Sequence, residues 1–269
     1  MKQLLSIAGS DCSGGAGVQA DLKTFSALGT FGMSVIASVV AENTARVLSV
    51  YDLPPQAVSD QIDAVFEDIR VDAVKIGMLS NLEIMQAVAR KLRQYAPAHV
   101  VLDPVMVATS GGVLMQPDAL AYLRRELLPL AELVTPNLPE AEALAGIPIR
   151  TEEQMRQAAV RIHTFMAQEH PAEKYVLVKG GHLQQDALDV LYDGSGFQTF
   201  TAERVQSTTT HGTGCTLSSA AAAFLAKGLP VADAVKEAKG YVTEAIRHGL
   251  DIGKGHGPTN HFYQLFQED

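Results

Sequence analysis

The stretch THGTGC, residues 210–215, sets two glycines around a threonine and runs directly into the small-residue segment TLSSAAAAF. Backbone N–H groups around Gly212, Thr213 and Gly214 can point to one side as an anion nest. A helix starting there adds unpaired N–H groups and the positive end of its dipole. The alternative is a buried helix start with Thr213 as its N-cap. Cys215 opens three roles: a base, a helper in the anion hole, or a small residue in a tight place. A helix N-terminus lowers a thiol pKa and a phosphate bound nearby raises it again, so a base role is expected to be modest. VLVKGGH places Lys179 before two glycines, a point charge for phosphate beside backbone that a ligand can approach, or else a solvated cation. VLDPVM offers Asp103, and TPNLPE offers Asn137 and Glu140 three residues apart, on one face of a helix. Carboxylates with an amide suit Mg²⁺, which takes oxygen ligands and bridges phosphates. Equally, Asn137 can cap the helix with Glu140 in its first turn. AGSDCSGGAG has neither the GxGxxG spacing nor a P-loop Lys-Ser/Thr pair. It fits a close approach of backbone to a small ligand with Asp11 or Asp21 as a polar contact, or a tight turn with Asp21 on a helix surface.

The elements around these stretches alternate. LLSIAG, SVIASVVA, DAVKIG, HVVLDPV, AELVTPN and KYVLVKGG are apolar, β-branched runs, suited to parallel strands buried on both faces. Helical patterns separate them near residues 16–28, 55–68, 81–95, 117–129, 139–145 and 151–168. That order predicts an α/β fold with a doubly wound, mostly parallel sheet and helices on both faces. LDVLYDGSGFQTFTAERV predicts an antiparallel hairpin at the sheet edge. Two helices follow near 213–227 and 231–247, then an irregular tail, GKGHGPTNHF. Each polar cluster follows a strand: GSDCSGG, ENT, DPV, TPNLPE and KGGH. Ligands of open α/β sheets bind beyond the carboxyl ends of the strands, so one cleft is expected.

The 269 residues are 47% hydrophobic and 19% charged, enough for a sizeable core and unlike a disordered chain. Lys and Arg number 21 against 30 Asp and Glu, a formal net charge of −9. An acidic chain without a basic block argues against nucleic-acid and anionic-membrane partners. Cys12 and Cys215 stand far apart in no metal-ligand spacing, which speaks against disulfides and structural zinc. MKQLLSIAGSD reads as a first strand rather than a signal peptide, and the cytoplasm is the expected compartment.

Taken together and in order, AGSDCSGGAGVQADLKTFSALG, KIGML, DPVM, TPNLPEAEAL, VKGGH, THGTGCTLSSA and GKGHGPTNHF resemble the ribokinase-like superfamily. Within it they resemble the bacterial hydroxymethylpyrimidine/phosphohydroxymethylpyrimidine kinases of thiamin synthesis. The resemblance covers residues 1–269 as a single kinase domain. It implies that ATP and Mg²⁺ phosphorylate the hydroxymethyl group of an aminopyrimidine and then its monophosphate. Carried over by position, Lys179 and the loop Gly212, Thr213, Gly214, Cys215 hold phosphates. Asp103 and Glu140 organise Mg²⁺ through water, with Asn137 in support. Gly9, Asp21, Glu42, Met78 and Val105 surround the pyrimidine, and Cys215 faces the acceptor oxygen. The family implies a homodimer through a sheet edge. A pyridoxal-phosphorylating branch, the alternative, carries a second cysteine where this chain has Ala108 and tends to lack the NT of AENT. A catalytically idle pyrimidine sensor is the other alternative, which the intact Asp103, Glu140, Lys179 and GTGC oppose.

One position departs from the resemblance: Glu42 stands where the family usually has Gln. An aminopyrimidine edge presents a donor amino group beside an acceptor nitrogen, which a Gln amide complements and an ionised carboxylate does not. Either Glu42 carries a proton, its pKa raised by burial, or the ring nitrogen does, giving a charge-assisted bidentate pair.

Overall fold

The computed structural model describes residues 1–106, 117–167, 173–181 and 187–265. Strand β1 (Gln3–Ala8) lies inside an eight-stranded sheet with β2 (Phe31–Ile36), β5 (Ala73–Ile76), β6 (Val100–Leu102), β7 (Leu133–Val134), β8 (Tyr175–Lys179), β9 (Ala187–Tyr192) and β10 (Phe197–Ala202). The order is β10-β9-β8-β7-β6-β5-β1-β2. Pairings from β2 through β8 are parallel, and β9 and β10 join antiparallel at the edge. This is the expected doubly wound sheet with its DGSG hairpin.

The strands are apolar throughout because both faces are covered. Successive side chains go to opposite cores. Leu4, Val101, Leu133 and Leu177 pack with α1 (Gly17–Ala27), α7 (Thr213–Ala226) and α8 (Val231–Arg247). Leu5, Ile7, Leu102, Val134 and Val176 pack on the other face, with α2 (Pro55–Phe66), α3 (Leu82–Tyr95), α5 (Leu138–Ala145) and α6 (Glu152–Met166). The small residues Ala220–Ala223 are all buried, letting α7 sit closely against the sheet beneath its own N-terminus.

Two expectations change. SVIASVVA is not one strand. The Ala37 N–H still bonds the Ala8 carbonyl, at 2.9 Å, but β1 ends there; beyond it the Ser10 N–H bonds the Ser38 carbonyl at 2.8 Å. The chain leaves the sheet as β3 (Ser38–Asn43) and pairs with β4 (Arg46–Asp52) in a separate two-stranded arm. The expected helix at 117–129 keeps regular form only in α4 (Pro117–Tyr122). The chain then runs through a looser and a tighter turn to Leu130, with Pro129 supplying no N–H.

Candidate active site

Beyond the carboxyl ends of β1, β5, β6, β7 and β8 opens a cavity of about 1480 Å³. Single-ligand pockets run to roughly 1,000 Å³, so this one has room for two small molecules side by side. Its wall includes Gly9, Glu42, Met78, Val105, Asp103, Asn137, Glu140, Lys179, Gly212, Thr213, Gly214 and Cys215. Every candidate named from the sequence lies there except Asp11 and Asp21.

The candidate phosphate-binding features converge. Gly212 precedes α7 with φ +78°, and no side chain caps the helix, so its first-turn N–H groups face the cavity rim as an anion site. Gly212, not Thr213, is thus the N-cap. An added Cβ on Gly212 would overlap the Gly15 carbonyl oxygen, so the two glycine loops abut. The Gly214 Cβ position lies 3.3 Å from Lys179 Nζ and 3.4 Å from Asp103 Oδ2. Lys179 donates to Asp103 Oδ1 at 2.8 Å, and the Thr135 hydroxyl to the same oxygen at 3.0 Å. Burial alone would lower the Lys179 pKa, but Asp103 and Glu140 outweigh it and hold the ammonium charged. Glu140 moves the other way: burial, aided by the charge of Asp103, raises its pKa against the pull of Lys179.

Asn137 and Glu140 form a reciprocal cap at the start of α5. The Asn137 side chain accepts the Glu140 N–H at 2.9 Å, and Glu140 Oε2 accepts the Asn137 N–H at 2.8 Å. The capping alternative therefore holds in the structure, and it fixes Glu140 beside Asp103 and Lys179. Oxygen donors from two carboxylates, Asp103 and Glu140, suit a hard divalent cation.

At the acceptor end, Glu42 lines the cavity with Gly9, Met78 and Val105. Burial pushes the Glu42 pKa up to about 7; the charge of Asp11 raises it further, and His211 opposes. Cys215 departs from its expectation. Burial pushes its thiol up to about 11, with Lys75 and the Gly17 N–H pulling down and Asp21 and Asp103 pushing up. Desolvation outweighs the helix terminus, so the resting side chain is a neutral thiol.

Neither Asp11 nor Asp21 meets the cavity; both are fully buried. Asp11 accepts the N–H groups of Ser13, Gly15 and Ala16 and pairs with His211 Nε2 at 2.8 Å, bonds that hold its carboxyl far below the usual range against burial. Asp21 accepts Lys75 Nζ at 2.8 and 2.9 Å, the Ser6 hydroxyl at 2.5 Å and the Ser219 hydroxyl at 2.6 Å. Ser219 lies one turn below Cys215, so Asp21 fixes α7 from beneath instead of touching a ligand. Sequence reading also missed His211 and the far wall, where Gln206, Ser207, Lys239 and Thr243 line the cavity. There Asp189 accepts Lys239 Nζ at 2.6 Å and the Gly180 N–H at 3.0 Å, shaping the loop after Lys179. The ion pair joins β9 to α8, a contact no local motif announces. Ala108 and His182 lie outside the described residues.

Residues 11–260 match a sequence profile of the family described as phosphomethylpyrimidine kinase. The chain belongs to this family. It is 51% identical to the hydroxymethylpyrimidine/phosphomethylpyrimidine kinase of Rhizobium meliloti, over 98% of each chain. It is 50% identical to a thiamine biosynthesis bifunctional protein of Geobacter sulfurreducens, over 96% of this chain and 52% of that one; here the chain spans about half its relative's length. The ADP complex of Bacillus subtilis pyridoxal kinase superposes with a TM-score of 0.90 at 38% identity, covering 99% of this chain and 100% of that one. The phosphomethylpyrimidine kinase family is thus met here in a kinase with the ribokinase-like fold.

Proposed function

We propose that this kinase transfers the γ-phosphoryl group of ATP to the hydroxymethyl group of hydroxymethylpyrimidine, and then to the resulting monophosphate. The observation that carries this reading is one cavity holding both a phosphate cradle and a small, partly apolar ring site ending in Glu42. The uncapped start of α7 and Lys179 bind the transferred phosphate. Asp103 and Glu140 would hold Mg²⁺, which would supply positive charge to neutralise the phosphates. Met78, Gly9 and Val105 flank the ring, and Glu42 meets its amino and ring-nitrogen edge with one shared proton. Cys215 sits at the acceptor oxygen. Its neutral thiol makes proton removal the smaller part of catalysis, and positioning the larger.

The reading extends to residues 1–269 as one kinase domain, acting in the cytoplasm as a homodimer. No helix among the described residues is long and apolar enough to cross a membrane. The outer arm leaves Val39 and Tyr51, directly paired across β3 and β4, exposed at 45% and 64%. A coupled kinase assay with hydroxymethylpyrimidine and pyridoxal in parallel, with and without Mg²⁺, tests the substrate. Mg²⁺-dependent turnover with a higher kcat/KM for the pyrimidine is expected. Preference for pyridoxal, or turnover of neither, overturns the proposal.

A further inference from the structure

The arm formed by β3 and β4 carries Glu42 outside the main sheet, so something other than sheet pairing must hold it over the cavity. A bulge between Ala41 and Glu42 shifts the register there, a device that re-aims side chains. The turn beyond is closed internally by Asn43, whose side-chain oxygen accepts the Ala45 and Arg46 N–H groups, both at 3.0 Å. Thr44 bonds outward. Its hydroxyl oxygen accepts the N–H groups of Lys254 and Gly255, both at 3.1 Å, and its carbonyl accepts the His256 N–H at 2.8 Å. Three successive backbone donors thus end on one residue. A Cβ on Gly255 would overlap the Thr44 carbonyl oxygen, so this fit needs glycine. Onward from this joint, the Gly257 carbonyl accepts the His211 N–H at 3.0 Å, and His211 pairs with Asp11. The glycine-rich C-terminal segment therefore runs from the tip of the arm to the loop that opens α7.

We propose that Thr44 is a positioning residue for pyrimidine recognition: by gathering the 254–256 backbone it locks the arm bearing Glu42 to the phosphate cradle. Thr44 does not line the cavity. The inference rests on the reading of Glu42 as the group that meets the pyrimidine edge. Without the joint the arm samples more orientations, and binding energy shared by ground and transition states is lost; that loss appears in KM, not kcat.

The test is steady-state kinetics with hydroxymethylpyrimidine and ATP on Thr44→Val, Thr44→Ser, Glu42→Ala and the Thr44→Val/Glu42→Ala double variant. Losing hydrogen bonds of this kind is expected to raise the pyrimidine KM of Thr44→Val roughly threefold to tenfold. The ATP KM and kcat stay unchanged, and Thr44→Ser, which keeps the hydroxyl, matches wild type. On the Glu42→Ala background the Thr44→Val effect disappears, because the group being positioned is gone. Gly255→Ala, which forces the segment off the Thr44 carbonyl, reproduces the Thr44→Val result by a second route. An unchanged KM in both Thr44→Val and Gly255→Ala, beside a raised KM in Glu42→Ala, overturns the inference. So do effects that simply add in the double variant, or a parallel rise in the ATP KM. An unchanged KM in Glu42→Ala instead removes the reading of Glu42 itself.

Discussion

Burial raises the pKa of two side chains in the cavity, with different consequences. Glu42, with its pKa near 7, changes charge within the working range. Whether the shared proton sits on the carboxyl or on the ring nitrogen, the bound pair holds one proton, which the free enzyme supplies while Glu42 is protonated. Below pH 7 that form dominates and the Glu42 contribution to kcat/KM no longer varies with pH. Above pH 7 the carboxylate faces the ring nitrogen, and kcat/KM falls about tenfold per pH unit. Glu42→Gln removes this limb; a wild-type profile without it, measured from pH 6 to 9, would speak against the shared proton. Cys215, pushed up to about 11, is almost wholly protonated across that range. A hydroxymethyl acceptor must lose a proton, whereas a monophosphate acceptor is already ionised. A base role for the small thiolate fraction predicts that Cys215→Ser lowers kcat of the first phosphorylation more than that of the second, each followed separately with its own acceptor. Equal losses would assign the thiol to packing alone.

At the scale of elements, the start of α7 is the critical joint. Gly212→Ala meets two penalties, a left-handed backbone at φ +78° and overlap with the Gly15 carbonyl. Strain of this kind costs about 1–3 kcal/mol. The variant is expected to melt at a lower temperature and to lose phosphoryl transfer at least about tenfold, since displaced donors no longer reach the transferred phosphate. An unchanged melting midpoint and kcat would show the loops to be independent. Residues of this joint were legible in the sequence because glycines before a small-residue helix leave few other readings. So were the buried parallel strands and the DGSG hairpin, where period and turn chemistry agree. The arm was not. β4 exposes much of its length, so RVLSVYD shows no strong apolar run, and nothing in SVIASVVA marks where its partner ends. The fates of Asp11 and Asp21 were hidden for another reason. A carboxylate beside a ligand loop and one tied to a buried lysine look alike until Lys75 and His211, far off in the chain, are in place.

For the whole molecule, the outer arm and the sheet edge leave an apolar surface in Val39, Leu48, Tyr51 and Phe31, exposed by 45–64%. Burying it between two copies gives the proposed homodimer. Light scattering should report twice the chain mass of 28.7 kDa, and Val39→Asp with Tyr51→Asp should shift it to the monomer. A monomeric wild type would dismiss that assembly. The site itself also has a whole-chain character. His211 reaches back 200 positions to Asp11, Ser219 198 positions to Asp21, and Lys254 210 positions to Thr44. Contacts so distant in sequence close late, after the loop-closure entropy has been met. During synthesis the early strands and helices of this chain can collapse on the ribosome, yet the cradle stays unformed until residues 211–257 have emerged. A product that stops short of Gly212, however compact, lacks the proposed phosphate cradle.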